Sequence, residues 1–362
     1  MVQGWRAGAR ALIAALALVA CGDAATRDAA DSAETAADAG EVAAEEPVVN
    51  VYSHRHYETD QQLFDRFTAE TGIAVNVVQA SADELITRLE SEGASSPADV
   101  LITVDAGRLH RAKERGLLRS IESEVLEANI PVELRDPEGQ WFGLTKRARV
   151  IVYAKDRVQP SELTTYEALA DEAWLGRVLT RSSENVYNQS LLASIIAASG
   201  EEAAQAWAEG IAQNMAQAPS GGDTEQVKAV AAGAGDVALV NTYYVARLKN
   251  STDAEERRVG EAVAVFFPNQ DDRGTHVNVS GAGVTASAQH PENARLLLEF
   301  LTGDEAQRMF AEGSFEYPVK PGVAPASTLQ EWGEFRADTL NLSRLGELNA
   351  QAVMSFDRAG WR

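Results

Sequence analysis

Between Val48 and Arg115 short apolar runs alternate with helical patterns, and no other feature of the chain narrows its fold so far. The runs Val48 to Ser53, Val75 to Val78 and Asp99 to Val104 are too short for helices and read as strands. Each is followed by a stretch with helical spacing: Asp60 to Thr71, Ala82 to Glu92 and Ala106 to Arg115. In the first of these Leu63, Phe64 and Phe67 fall on one face, Asp60, Asp65 and Arg66 point towards solvent, and Gly72 ends the helix. Strand, helix and strand in succession build βαβ units, so the expectation is an α/β chain with a parallel sheet.

The alternation is interrupted twice. Gly139 to Tyr153 holds two extended segments, Trp141 to Thr145 and Val150 to Tyr153, separated by the basic residues Lys146, Arg147 and Arg149. Phe266 to Val284 breaks at Pro268 and Gly274 and resumes as a strand, His276 to Ser280, that leads into Gly281 and Gly283. These read as an outward and a return crossing between two α/β lobes, residues 48–147 plus 276–322 and residues 148–275 plus 323–362. Between the crossings a strand at Val178 to Thr180, a cap at Ser183 or Asn185 and helices Val186 to Ala198 and Glu201 to Ala212 are expected. Helices at Pro291 to Leu301, near Ser327 to Asp338 and at Leu345 to Ser355 close the chain.

The first residues carry an address. Arg6 and Arg10 precede the apolar run Ala11 to Ala20, which is too short to span a bilayer and right for a signal-peptide core. The run ends Leu18-Val19-Ala20-Cys21-Gly22, which resembles the lipobox of bacterial lipoproteins and assigns 1–20 to a lipoprotein signal peptide and Cys21 to lipidation. Cys21 is the single cysteine, so neither a disulfide nor a thiolate pair is available. Residues 21–47, rich in Ala, Asp and Glu, form an acidic tether unable to build a core. The formal net charge of −22 argues against nucleic acid as a partner and suits a protein that handles cations. The expected location is periplasmic, lipid-anchored, in a Gram-negative cell.

No nucleophile elbow, His-Glu-x-x-His pair or phosphate-binding glycine loop is present, and no enzymatic activity is expected. What recurs is tyrosine at strand-to-helix turns. Ser53-His54-Arg55-His56-Tyr57 follows the first strand, and Tyr187 follows the strand at Val178. Tyr243 and Tyr244 follow the apolar strand Asp236 to Asn241, where Asn241 or Thr242 can cap the next helix. In open α/β sheets these turns are where ligands bind, and helix N-termini there favour anionic groups. Packing of the rings in a core is the other reading of the same tyrosines.

Three segments together, VYSHRHYETDQQLFDRFTAETGI, SPADVLITVDAGRLHRAKERGLL and the TYY of NTYYVARL, resemble the periplasmic ferric-ion-binding proteins of bacterial ABC importers. The likeness covers nearly all of Val48 to Arg362. It implies a type II periplasmic-binding-protein fold closing on Fe(3+) as cargo, with His56, Tyr57, Tyr187, Tyr243 and Tyr244 as ligands and carbonate or water in the remaining position. Hard phenolate oxygen suits a small trivalent cation. Four phenolates exceed its charge by one, and Arg247, on the helical face of Tyr243 and Tyr244, is the candidate counter-charge, or else a solvated helix arginine. The resemblance also implies an ABC permease and ATPase as partners and a monomer. An organic-cation binder with the tyrosines as an aromatic cage, and a lipoprotein hydrolase, are the rival readings. Outside the ligand set stand His54, Arg55, and Thr103 and Asp105 at a strand end, Asp105 as a helix cap. Arg147 and Arg149 are expected to pair with carboxylates, and His110, His276 and His290 to be core or surface residues.

Overall fold

A computed structural model describes residues 47–362, so the signal peptide, Cys21 and all of the tether but Pro47 lie outside the described residues. Among the described residues nine strands are present. In chain order they are β1 (Val48–Ser53), β2 (Ala74–Gln79), β3 (Val100–Val104), β4 (Phe142–Ala154), β5 (Val178–Leu179), β6 (Val237–Asn241), β7 (Val263–Phe266), β8 (Val277–Val284) and β9 (Tyr317–Pro318). β1 pairs in parallel with β2 and β3, as βαβ units require, and the helices between them run Glu58–Thr71 and Ala82–Glu92. Gly72 ends the first of these helices in the left-handed conformation.

The sheet as a whole is mixed, not parallel. β8 runs antiparallel to β3 and to the first part of β4, while β6 and β7 run antiparallel to the second part of β4. A return crossing enters from the opposite direction, so it cannot extend a parallel ladder. The two extended segments expected around Lys146 are one strand of 13 residues. Arg147 and Arg149 do not break it because both are buried against carboxylates, Asp105 at 3.3 Å and Asp223 at 2.7 Å. β8 also continues through Gly281 and Gly283, where a Cβ would meet the carbonyl oxygens of Phe142 and Gln140 at 2.6 Å. Only glycine permits that approach.

β4 therefore belongs to two sheets: Phe142 to Ala148 pair with β8, and Arg149 to Tyr153 with β6. β7 and β8, joined by residues 267–276, make the second crossing. Two α/β lobes share this pair of strands. Three helices absent from the sequence reading, Asp223–Ala231, Ala254–Ala262 and Asp304–Ser314, complete the layers. The helix expected over Ser327 to Asp338 is only Ser327–Gln330, and the one over Leu345 to Ser355 is two, Ser343–Glu347 and Asn349–Ala359.

Candidate metal centre

Each of the three tyrosine-bearing turns is fixed by polar contacts of its own. After β1, Arg55 is buried and donates to Asp60 at 3.0 Å and Glu316 at 2.8 Å. This pins the loop from which His56 and Tyr57 project. Tyr57 stands at the N-cap position of helix Glu58–Thr71, and its backbone N–H donates to Asp60 at 3.4 Å. Tyr187 lies in the first turn of helix Val186–Ser199, where the cap is Asn185, its Oδ1 accepting from the Tyr187 N–H at 3.0 Å. Tyr243 and Tyr244 open helix Thr242–Lys249 directly after β6. Asn241 occupies the cap position without capping: its Oδ1 accepts from Arg149 at 3.3 Å, and its own N–H donates to Asp223 at 2.8 Å. The charge of Arg149 outcompetes the helix terminus for the amide oxygen.

The fold brings the tyrosines together. The Tyr243 hydroxyl donates to that of Tyr187 at 3.2 Å, and the rings of Tyr243 and Tyr244 lie 4.3 Å apart. The Arg247 guanidinium stands 4.7 Å from the Tyr57 ring centre and 5.1 Å from that of Tyr243, joining residues from β1 and β6. His56 is exposed, its ring 5.6 Å from Tyr57. Three further guanidiniums cover Tyr187: Arg147 at 5.0 Å, Arg181 at 5.5 Å and Arg149 at 5.8 Å.

Burial pushes the Tyr57 phenol above its ordinary range, Glu316 adds to this, and Arg55 and Arg247 oppose it. Tyr243 is pushed well up by burial and by the phenols of Tyr187, Tyr244 and Tyr57. Tyr244 is raised by burial, Tyr187 and Asp223. Without a cation these phenols stay protonated, and a multivalent cation at bonding distance reverses that preference. Among the described residues no group of three or more His, Cys, Asp or Glu is placed to hold a metal ion. A metal at this place would be held chiefly by phenol oxygens.

Asp105 caps helix Ala106–Glu114 by accepting from the Gly107 N–H at 2.9 Å, and also accepts from Ser190 at 2.8 Å and Asn278 at 2.9 Å. Thr103 is buried in β3. His54 is half-buried, and burial and Arg108 lower it to about 4. His276 is interior and His290 pairs with Asp99 at 3.1 Å, while His110 packs beside Gly346. Sequence reasoning did not single out Arg181, Asp223 or Glu316. Their one signal is charge, which looks the same on a solvated surface; the contacts that bury them come from distant segments.

The family described as bacterial extracellular solute-binding protein matches residues 95–335. Iron uptake protein A1 of Synechocystis is 52% identical over 318 residues, covering 88% of this chain and 88% of that protein. A Trichodesmium structure described as IdiA, or FutA, in complex with iron and citrate superposes with a TM-score of 0.85 at 54% identity, over 87% of this chain and all (100%) of that one. The ferric binding protein from Campylobacter jejuni superposes with a TM-score of 0.82 at 41% identity, over 87% of this chain and 100% of that one. The two lobes and crossing strands are thus a type II periplasmic-binding-protein fold, and the chain belongs to the bacterial extracellular solute-binding proteins, a family of binding proteins rather than enzymes, beside members of the ferric-binding and iron-uptake group.

Proposed function

We propose that this protein captures ferric iron outside the cytoplasm through the phenolates of Tyr57, Tyr187, Tyr243 and Tyr244, with His56 joining when the lobes close. The observation that carries the reading is the 3.2 Å approach of the Tyr243 and Tyr187 hydroxyls, which come from two different helix N-termini. The names of the iron-uptake and ferric-binding relatives support the same cargo. Each phenol loses a proton on binding, so the metal replaces neutral hydroxyls with hard anionic donors. The four phenolates exceed the trivalent ion by one negative charge. Arg247 has no carboxylate partner within ion-pair distance among the described residues, and its position over Tyr57 and Tyr243 suits it to balance that charge. Water or carbonate completes the coordination.

Ligands divided between residues 48–147 plus 276–322 and residues 148–275 plus 323–362 are complete only when the lobes meet, so iron favours the closed state. The closed monomer then delivers its cargo to an ABC permease and ATPase, while lipid at Cys21 keeps it at the membrane. The aromatic-cage reading is disfavoured because the ring faces of Tyr57, Tyr187 and Tyr243 already carry guanidiniums. The test is the visible spectrum of the purified protein before and after a ferric chelate is added. An orange-red phenolate-to-iron charge-transfer band, lost or shifted in both Tyr187→Phe and Tyr243→Phe, is expected. A colourless ferric-treated protein rejects the assignment.

A further inference from the structure

Beside the ring of Tyr187 lies a small cavity walled by Arg147, Arg149, Asn241, His276, Asn278 and the ring itself, with Asp105 at its edge. Its volume of about 10 Å³ has room for one water or one monatomic ion. Three of its wall residues carry an N–H group with no hydrogen-bond partner: Arg147 Nη1, Arg149 Nε and Asn241 Nδ2. All three residues are buried, at 1%, 2% and 2% exposure. Buried donors without acceptors are costly and scarce, so a cluster of three indicates an occupant.

The walls supply little to satisfy a water's own hydrogens. Asp105 already accepts from Gly107, Ser190, Arg147 and Asn278. The Asn278 oxygen accepts from the N–H groups of Ala106 and Val279, at 2.9 and 2.8 Å, and the Asn241 oxygen is taken by Arg149. A pure acceptor meets the wall better. Charge points the same way: Arg147, Arg149 and Arg181 share only Asp105 and Asp223, which leaves one positive charge in excess.

We propose that this cavity binds one monovalent anion of halide size, held by Arg147, Arg149 and Asn241 where β4 and β8 cross. The site does not depend on the iron reading. It faces the ring of Tyr187 rather than the hydroxyl that meets Tyr243, and it is occupied in the metal-free protein. Its role is to neutralise the guanidiniums that keep β4 continuous.

The test is anomalous diffraction from crystals of the metal-free protein grown in sodium bromide. An anomalous peak within contact distance of all three orphan donors is expected. In parallel, Tm should rise with the logarithm of bromide concentration and stay flat in sodium gluconate at matched ionic strength. Asn241→Asp places a carboxylate beside Arg149 in the anion's stead and should abolish the bromide dependence. A cavity filled only by water, without anomalous signal, overturns the proposal, as does an undiminished bromide effect in Asn241→Asp. The diffraction result stands without the variant.

Discussion

Replacing Arg247 by Gln tests the charge logic of the site directly, because it removes one positive charge and little volume. The guanidinium lies 4.7 Å from the centre of the Tyr57 ring and 5.1 Å from that of Tyr243. A unit charge facing the net negative charge of the loaded site at about 5 Å contributes roughly 3 kcal/mol at an effective dielectric of about 20. The side chain is half-buried, so solvent screening trims this to about 1.5–3 kcal/mol, or roughly 10- to 100-fold in affinity. The assay is competition for ferric iron against a chelator of known strength at fixed pH and ionic strength. Arg247→Lys, which keeps the charge and loses the planar fork, should recover most of the affinity. Metal-free stability should change little, since only two cation–π contacts are lost. An Arg247→Gln protein that holds iron within twofold of the original refutes the reasoning and returns Arg247 to the class of solvated helix arginines.

Other consequences concern the scaffold. His276 is fully interior, and burial together with Arg147, Arg149 and Arg273 lowers it to about 3 from an ordinary 6.5. Its native form stays neutral while the unfolded chain takes up a proton, so stability should fall as pH drops from 6.5 towards 3. The slope is about 1.4 kcal/mol per pH unit, and urea unfolding of the metal-free protein at stepped pH should show it reduced in His276→Gln. Glu316→Leu leaves Arg55 with Asp60 alone, and chemical denaturation should register a loss of about 3 kcal/mol, the low end for a broken buried pair. In Gly346→Ala the new Cβ would stand 2.4 Å from the Cβ of His110, so Tm should drop by the equivalent of about 1–3 kcal/mol.

The elements that local pattern could define emerged nearly as read: β1, helix Ala82–Glu92 and helix Pro291–Leu301 have the bounds expected of them. What local pattern could not show is which charges are buried. Arg147 and Arg149 look like an interruption, yet their partners Asp105 and Asp223 lie 42 and 74 positions away. The same blindness hid the mixed sheet, because strand direction depends on where a return crossing lands. Helix Ala254–Ala262 escaped notice for another reason: only Gly260 is buried on it, so no apolar stripe marks it. At the site, the tyrosines were legible from their repeated place at strand-to-helix turns. The guanidiniums over Tyr187 were not, since nothing local separates a buried arginine from a solvated one.

The shared strands also set the order in which this chain can be completed as it is made. β3 finds its neighbour only when β8 has been synthesised, and Asn278 reaches Asp105 across 173 positions. β4 likewise waits for β8 on one side and β9 on the other. Until then the first three strands present an open hydrogen-bonding edge, which invites pairing with other chains. Such long-range closure slows folding and favours a late, concerted collapse of both lobes over sequential folding of one and then the other. A nascent chain arrested before β8 would therefore be a client for holding chaperones and a substrate for proteases, whatever the integrity of its tyrosines.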